Sequence, residues 1–412
     1  MEGAARHPGA PSIPRPGNSS PMNNVQHPPI YLDYNATAPL MPEAKEAILQ
    51  AWAEYPGNPS SPHAFGQSAR DALEEYRTSL AGWVGFHRRE FLITAGGTES
   101  NNTILRQAGL TGAGGHIITS PIEHPSVLES CAWLSRRGVA VDYLPVSGEG
   151  VVDVGAVGAL IRPDTRLVSL MAANNETGVI QPVAELVKAV REAQGDRTIP
   201  VHCDAVQAFG RIALPADAWG VDALTLAAHK LGGPKGIGAL AVREGIPLEG
   251  LLLGGAQERG RRAGTESVAL AAGFQEAAHR RIEKLELDTE RVRTLRDRMA
   301  GALSDLPGYF LNGAKGFRLP NTLNLGFTGI SAQSLLVSLD LKGVAVSTGS
   351  ACSSGAMEPS HVLRAMGLPD ERLHAALRIS LGPESTLEEV DRAIDIFRIE
   401  VLRLSGRKRA AS

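Results

Sequence analysis

LTLAAHKLGGPKGIGAL, residues 224–240, is an apolar run that stops at a basic pair, turns through four glycines and becomes apolar again. Leu224–Ala228 reads as the buried end of a strand, so His229 and Lys230 emerge where a strand gives way to a loop. A group placed there is held by a rigid element yet faces a cleft. A lysine in such a place loses solvent, its pKa falls, and the free amine can attack a carbonyl carbon. Gly232, Gly233, Gly236 and Gly238 let the backbone turn tightly and pass close to a bound group. A solvated loop lysine is the ordinary case. The rest of the chain decides between the two.

Outward from this stretch, strands and helices alternate. The predicted strands are Phe91–Thr94, His116–Thr119, Val139–Leu144, Leu167–Met171, Ile199–Cys203, Asp222–Leu226 and Gly238–Val242. Most are short and apolar, as strands buried on both faces are. Helical segments such as Pro125–Arg137 and Pro182–Ala193 separate them. The fold class is therefore α/β, with a mostly parallel seven-stranded sheet in a large domain spanning 30–282. Beyond about residue 267 the period becomes helical: Leu270, Phe274, Ala278 and Ile282, then Val292, Leu295, Met299 and Leu303. One long helix is expected to leave the large domain here and enter a smaller α+β domain, 283–412. That domain has predicted strands Asn321–Phe327, Val344–Val346 and Leu377–Leu381, and a last helix opened by a Thr386/Glu389 capping box.

Composition narrows the classes. The chain has 412 residues, 43% apolar and 21% charged, with a net charge of −3. There is no broad basic field for nucleic acid and no apolar run long enough to span a membrane. Cys131, Cys203 and Cys352 lie far apart, which points to free thiols in a reducing, cytoplasmic setting. No CxxC or HExxH suggests zinc. Residues 1–29 hold seven prolines and few large apolar side chains, so a disordered tail is expected. Arg407-Lys408-Arg409 reads as a solvated tail.

Several stretches could contribute to one site. Ala95-Gly96-Gly97-Thr98-Glu99-Ser100 joins a strand to a helix, where free backbone N–H groups can hold an anion; it fits a simple tight turn as well. Asp204 ends a strand and could hold a protonated ring nitrogen, or be the N-cap of the following helix. Alternation puts His202 on its face and Cys203 on the other. Gln207 comes three residues later. His124, before Pro125 at a helix start, could stack on an aromatic cofactor and shuttle protons, or be satisfied by a cap hydrogen bond. Asn175 lies in an Asn-Asn-Glu-Thr-Gly loop after a strand. Cys352 sits among serines and glycines, where a thiol is accessible and can act as a nucleophile. Arg378 could clamp a carboxylate or form a salt bridge.

A strand-end lysine, an anion-binding helix start, a strand-end acid and a stacking histidine are the parts that bind pyridoxal 5'-phosphate. The stretches YLDYNATAP, GNPSSPH, GGTESNN, ANNETG, HCDAVQ, AHKLGGPKGIG, RRAGTES, STGSACSSG and LRISLG occur here in one order. Together they cover nearly all of the chain from Ile30 to the last helix. In this the chain resembles the cysteine desulfurases, in the class V aminotransferase family of fold-type I pyridoxal-phosphate enzymes.

The resemblance implies a role for each residue. Lys230 would be the Schiff-base lysine, and Asp204 would pair with the pyridine nitrogen. Gln207 and Asn175 would serve the ring-oxygen side, and Asn175 the substrate too. His124 would stack on the ring and transfer protons. Gly97, Thr98 and His229 would hold the phosphate, joined by Thr265 from the other subunit of a homodimer. Arg378 would bind the carboxylate of L-cysteine. Cys352 would take the sulfur as a persulfide, leave L-alanine, and pass the sulfur to an acceptor protein, either an iron–sulfur scaffold or a sulfur carrier. The family often has a serine where this chain has Ala227, so one hydroxyl contact to phosphate is absent here. Selenocysteine lyase, a plain aminotransferase and a non-catalytic scaffold are the alternatives; retention of both Lys230 and Cys352 speaks against the last.

Overall fold

Strands buried on both faces are largely apolar, and the central strands of the computed structural model are, with buried polar exceptions such as His202, Asp204 and Thr225. It describes residues 28–110, 114–349 and 359–406. The tail before Pro28, Cys352 and Arg407-Lys408-Arg409 lie outside the described residues. The strands are β1 (Ile30–Tyr31), β2 (Phe91–Thr94), β3 (His116–Thr119), β4 (Ala140–Tyr143), β5 (Thr165–Met171), β6 (Val201–Asp204), β7 (Ala223–Ala227), β8 (Gly238–Val242), β9 (Tyr309–Leu311), β10 (Thr322–Phe327), β11 (Val344–Ala345) and β12 (Ala376–Ser380). Every residue of β2, β3, β6, β7 and β8 is buried. β4, which carries Asp142 and a half-open Tyr143, lies at the sheet edge, where polar side chains are tolerated.

Seven strands form one sheet in the order β2-β8-β7-β6-β5-β3-β4. Only β8 runs against its neighbours. Residue 238, where β8 begins, must be glycine. A Cβ there would lie 2.5 Å from the Leu226 carbonyl oxygen and 2.7 Å from Gly96 Cα. Helix Val183–Ala193 packs one stripe, Val183, Leu186, Val187 and Val190, on the sheet. Helix Val268–Glu283 lies against Pro42–Glu54 through Ala51, Ala269 and Ala272, small residues that let the axes approach closely, with Ile48 packed over Gly273.

The expected single long helix is two, Val268–Glu283 and Leu285–Leu303, broken at Lys284. The reason is a change of core. Ala271, Phe274 and Ala278 belong to the sheet's core, whereas Val292, Leu295 and Met299 belong to a second one. The chain between them is polar, so nothing fixes a common face. The second core is built on an antiparallel sheet, β12-β10-β9, and takes in Ile30 and Leu32 from the start of the folded chain, because β1 pairs with β11. β9 has three residues, too few for periodicity to reveal. Strand β6 starts at Val201 and includes Asp204, later than expected at both ends. The capping box forms as read: Glu389 N–H donates to Thr386 Oγ1 at 3.2 Å and Thr386 N–H to Glu389 Oε2 at 2.9 Å, a motif worth about 1 kcal/mol.

Candidate active site

Because only β8 is reversed, β2, β3, β5, β6 and β7 all end on one side of the sheet. Ligand sites of open α/β sheets lie at this edge. A cavity of about 720 Å³ opens there, with Thr98, His124, Asn175, Asp204, Lys230 and Arg378 on its walls. That volume suits a cofactor with a small substrate.

Lys230 closes a single helical turn, Ala228–Lys230, directly after β7. Its Nζ donates to the carbonyls of Asn35 and Ala36, both at 2.7 Å. Burial pushes its pKa down to about 7, helped by the cations of Arg211 and Arg378 and opposed by Asp33 and Asp204. A large share of the amine is therefore uncharged at neutral pH, the form that attacks a carbonyl carbon.

Asp204 caps the chain that follows it, a run of turns and not the expected helix. Its Oδ1 accepts from Val206 N–H at 3.0 Å and caps the following turn; its Oδ2 accepts from Asn101 Nδ2 at 2.7 Å. Asn101 stands one helical turn beyond Gly97 on the helix that opens the anion site, which is how it reaches β6. It also donates to Ser126 Oγ at 2.9 Å. His124 makes the cap hydrogen bond considered for it. It is the N-cap of helix Pro125–Ser135, its Nδ1 accepting from Ser126 N–H at 3.1 Å, while its ring lies on the cavity wall. A ring nitrogen that accepts leaves the proton on Nε2. Burial and the Lys230 charge lower its pKa, against the pull of Asp204.

At the helix start, a Cβ on Gly97 would sit 3.0 Å from Val206 Cγ2, so glycine leaves the backbone open to the cavity. Thr98 is beside it, on the cavity wall. His229 Nδ1 meets Thr37 Oγ1 at 3.2 Å, and burial with the neighbouring cations drives its pKa down to about 4, so it is neutral. Gln207 Nε2 donates to Asn35 O at 3.0 Å. Arg378, on β12, is 2.7 Å from Asp33 Oδ1 and donates to Asn175 O at 3.3 Å; its Nε is buried without a partner. The salt bridge foreseen for it exists, and a donor is left over for a further oxygen. Thr265 is exposed and takes no part in lining this cavity.

The remaining thiols behave as packing. Cys131 and Cys203 are buried, and burial raises both pKa values, Cys131 to about 12. His202 sits deeper in the sheet than Asp204, bonded to Ser169 Oγ and Thr225 Oγ1 at 2.9 Å each, a satisfied core histidine with its pKa lowered to about 4 by burial.

Sequence reasoning left out Asn35, Asn101, Arg211 and Glu176. Asn35, Asn101 and Glu176 lie inside the motif stretches YLDYNATAP, GGTESNN and ANNETG, but their roles depend on long-range contacts. Only Asn101 had a local signal, its one-turn spacing from Gly97. Glu176 is buried and accepts from Ser360 Oγ, and burial raises its pKa. Its carboxyl packs against the backbone of Gly349, where a Cβ would come within 2.8 Å of Glu176 Oε2.

These features are those of a lysine-centred cofactor enzyme. The chain belongs to the class-V aminotransferase family, which matches residues 30–393, and within it to the cysteine desulfurases. The cysteine desulfurase IscS of Dictyoglomus turgidum is 44% identical over 91% of this chain and 95% of its own. A NifS-like protein of known structure superposes with a TM-score of 0.85 at 36% identity, covering 91% of this chain and 99% of that one. SspA, solved in complex with cysteine, gives a TM-score of 0.75 at 32% identity, over 87% of this chain and 100% of that one. Enzymes of this family depend on pyridoxal phosphate. The donor set here fits that group: an amine with a low pKa, a strand-end carboxylate, open amides beside Gly97, and buried orphan atoms at Asn101 Oδ1 and Arg378 Nε.

Proposed function

We propose that this cysteine desulfurase acts in the cytoplasm as a homodimer, binding pyridoxal 5'-phosphate and L-cysteine in the cavity at the strand ends. The observation that carries the reading is the meeting of Lys230, Asp204 and the Gly97–Thr98 helix start around one space. Lys230, through its uncharged amine, would hold the cofactor. Asp204, oriented by Asn101, would pair with the pyridine nitrogen, and Gln207 and Asn175 would serve the ring-oxygen side. Gly97, Thr98 and neutral His229 hold the phosphate, with Thr265 contributed by the second subunit. When bound, the cofactor stabilises negative charge on the substrate's α carbon.

The protein's residues do the rest. Arg378 offers its spare donor to the substrate carboxylate. Lys230 and His124, through its Nε2, would move protons at the substrate's α carbon. Cys352, as thiolate, takes the sulfur as a persulfide and the product is L-alanine. Support for Cys352 comes from its neighbours: Ser347 and Gly349 before it and Pro359 and His361 after it all line the cavity. Three residues of chain allow at most about 11 Å between the Cα atoms of Gly349 and Cys352. An acceptor protein, a cluster scaffold or a sulfur carrier, would then receive the sulfur.

The test is chemical. Purified protein with pyridoxal phosphate should be yellow, and Lys230→Ala should lose the colour. Cys352→Ser should stay yellow and accumulate no persulfide after brief exposure to L-cysteine, since a hydroxyl is a far poorer nucleophile than a thiolate. Mass spectrometry that finds the extra sulfur on Cys131 or Cys203 would overturn the nucleophile assignment. Selenide release from selenocysteine, and amino transfer to a keto acid, assayed in parallel, discriminate the lyase and the plain aminotransferase.

A further inference from the structure

Arg211 is a mostly buried cation that lacks an anion. Its Nη1 donates to Asn35 Oδ1 at 2.9 Å, to Gln207 O at 3.3 Å and to Gln207 Oε1; its Nη2 donates to Tyr34 O at 3.2 Å and to Lys230 O at 3.4 Å. Every one of these acceptors is neutral. Among the described residues, no carboxylate forms an ion pair with it. Its other face borders a cavity of only about 30 Å³, shared with Lys230, Arg281 and Asp288, and the Asp288 carboxylate lies 3.8 Å from Arg281. A buried charge without a counter-charge costs stability, so its retention calls for a reason.

We propose that Arg211 is a positioning residue for the reactive amine, fixing both the main chain that carries Lys230 and the Asn35 unit whose carbonyl receives the Lys230 amine. The proposal rests on the reading of Lys230 as the amine that holds the cofactor. Asn35 is a junction. Its N–H donates to Ser380 Oγ at 2.9 Å, its Nδ2 to Thr322 Oγ1 at 2.9 Å, and its Oδ1 accepts from Asn321 as well as from Arg211. Its carbonyl accepts from both Lys230 Nζ and Gln207 Nε2. Arg211 holds the other end of the Gln207 amide, so one planar fork orders three groups of the site. A lysine there would supply a charge without the fork.

The same placement sets the field at the amine. The charged or titratable groups nearest Lys230 are Arg211, Arg378, Asp33, Asp204, His124 and His229; Glu129, Glu176 and His361 lie on the same large cavity, and the paired Arg281 and Asp288 on the small one. Arg378 and Asp33 are paired at 2.7 Å and largely cancel. Burial keeps both histidines on the neutral side. Arg211 is the cation left without a partner, and burial together with Arg281 and Arg378 lowers its own pKa only to about 9, so it stays charged at neutral pH. Its charge favours the uncharged form of Lys230 and opposes Asp204.

The experiment is trace acetylation of the cofactor-free, full-length protein with acetic anhydride across pH, with the label on Lys230 quantified by peptide mass spectrometry. The wild type should show a midpoint near pH 7. Arg211→Gln should move it up by about one pH unit or more, about a tenfold loss of reactivity at pH 7. Arg211→Lys should keep the midpoint, because the charge stays, yet lower kcat several-fold in the loaded enzyme with KM little changed. An unmoved midpoint in Arg211→Gln, or a wild-type kcat in Arg211→Lys, overturns the proposal. If Arg211→Gln does not fold, Arg211→Lys decides; if neither folds, the role is purely structural and the proposal is wrong. Failure of the Lys230 reading shows separately, as cofactor colour that persists in Lys230→Ala.

Discussion

Glu258→Ala should destabilise the protein by about 2 kcal/mol, and the geometry says why. Glu258 is 4% exposed and Arg77 2%. They meet as a bidentate pair, Nη1 to Oε2 at 2.6 Å and Nη2 to Oε1 at 2.9 Å, and Ile93 N–H adds a bond to Oε2 at 3.3 Å. Removing one partner of a buried pair costs about 3–5 kcal/mol. Arg77 would keep Glu74 and the Phe91 carbonyl, both at 2.9 Å, which favours the low end. Glu258 and Arg259 also sit in left-handed backbone, at φ 47° and 59°. Alanine keeps the Cβ penalty there, but losing the Glu258 anchor frees the turn to relax, which returns about 1 kcal/mol. Replacing both partners, as in Arg77→Met with Glu258→Met, leaves no orphan charge and should be the more stable variant. Denaturant midpoints of the wild type, both single variants and the double variant yield the coupling energy, expected at about 2 kcal/mol. A loss below about 0.5 kcal/mol in Glu258→Ala, or a double variant no better than it, refutes the argument. The site should register the change too. The same loop carries Arg262, which holds Glu99 Oε1 at 3.0 Å, and Glu99 Oε2 in turn accepts from Ala95 N–H at 2.8 Å at the turn before Gly97.

Two further outcomes concern the cavity. The folded pKa of Lys230, about 7, lies below the roughly 10.4 of an unfolded lysine. Between those values the unfolded chain holds the extra proton, so stability rises with pH; below about 7 both states are protonated and the penalty is fully present. In cofactor-free protein, Lys230→Met should therefore stabilise more at pH 6 than at pH 10, and denaturant midpoints giving equal gains at both would disprove the low pKa. Ala227 lies 3.8 Å from a Cβ built on Gly97, beside the helix start. Ala227→Ser should add one hydrogen bond to a phosphate held there, about 0.5–1.5 kcal/mol, or roughly two- to tenfold tighter pyridoxal phosphate binding by absorbance titration of the apoprotein; unchanged affinity would place the phosphate elsewhere.

What could be read from the sequence was whatever short-range physics controls. Phe91–Thr94, His116–Thr119 and Gly238–Val242 are strands to the residue, because runs buried on both faces are apolar and end at polar or glycine-rich turns. The capping box at Thr386 is local chemistry and was legible for the same reason. The break at Lys284 was not, since helical periodicity on each side is sound and only the change of core separates the two halves. β9 escaped because three residues carry no period.

The site divides along the same line, and the division shows what a strand-end site asks of a sequence. Lys230, Asp204, His124 and Gly97 each announce themselves locally, as a change of character at the end of a strand or the start of a helix. Asn35 and Arg211 do not. They matter because Asn35, early in the chain, is carried across β12 by Ser380 and receives the Lys230 amine. No window of sequence contains that meeting. Arg211 read alone is a surface arginine after a turn, and its composition and spacing give no reason to doubt it. Its meaning comes from the absence of a carboxylate among its described partners and from the three neutral groups it orders instead. A buried cation that orders neutral groups around an amine is a tertiary fact, and it is the kind of feature that distinguishes a site able to hold a lysine uncharged from one that merely contains a lysine.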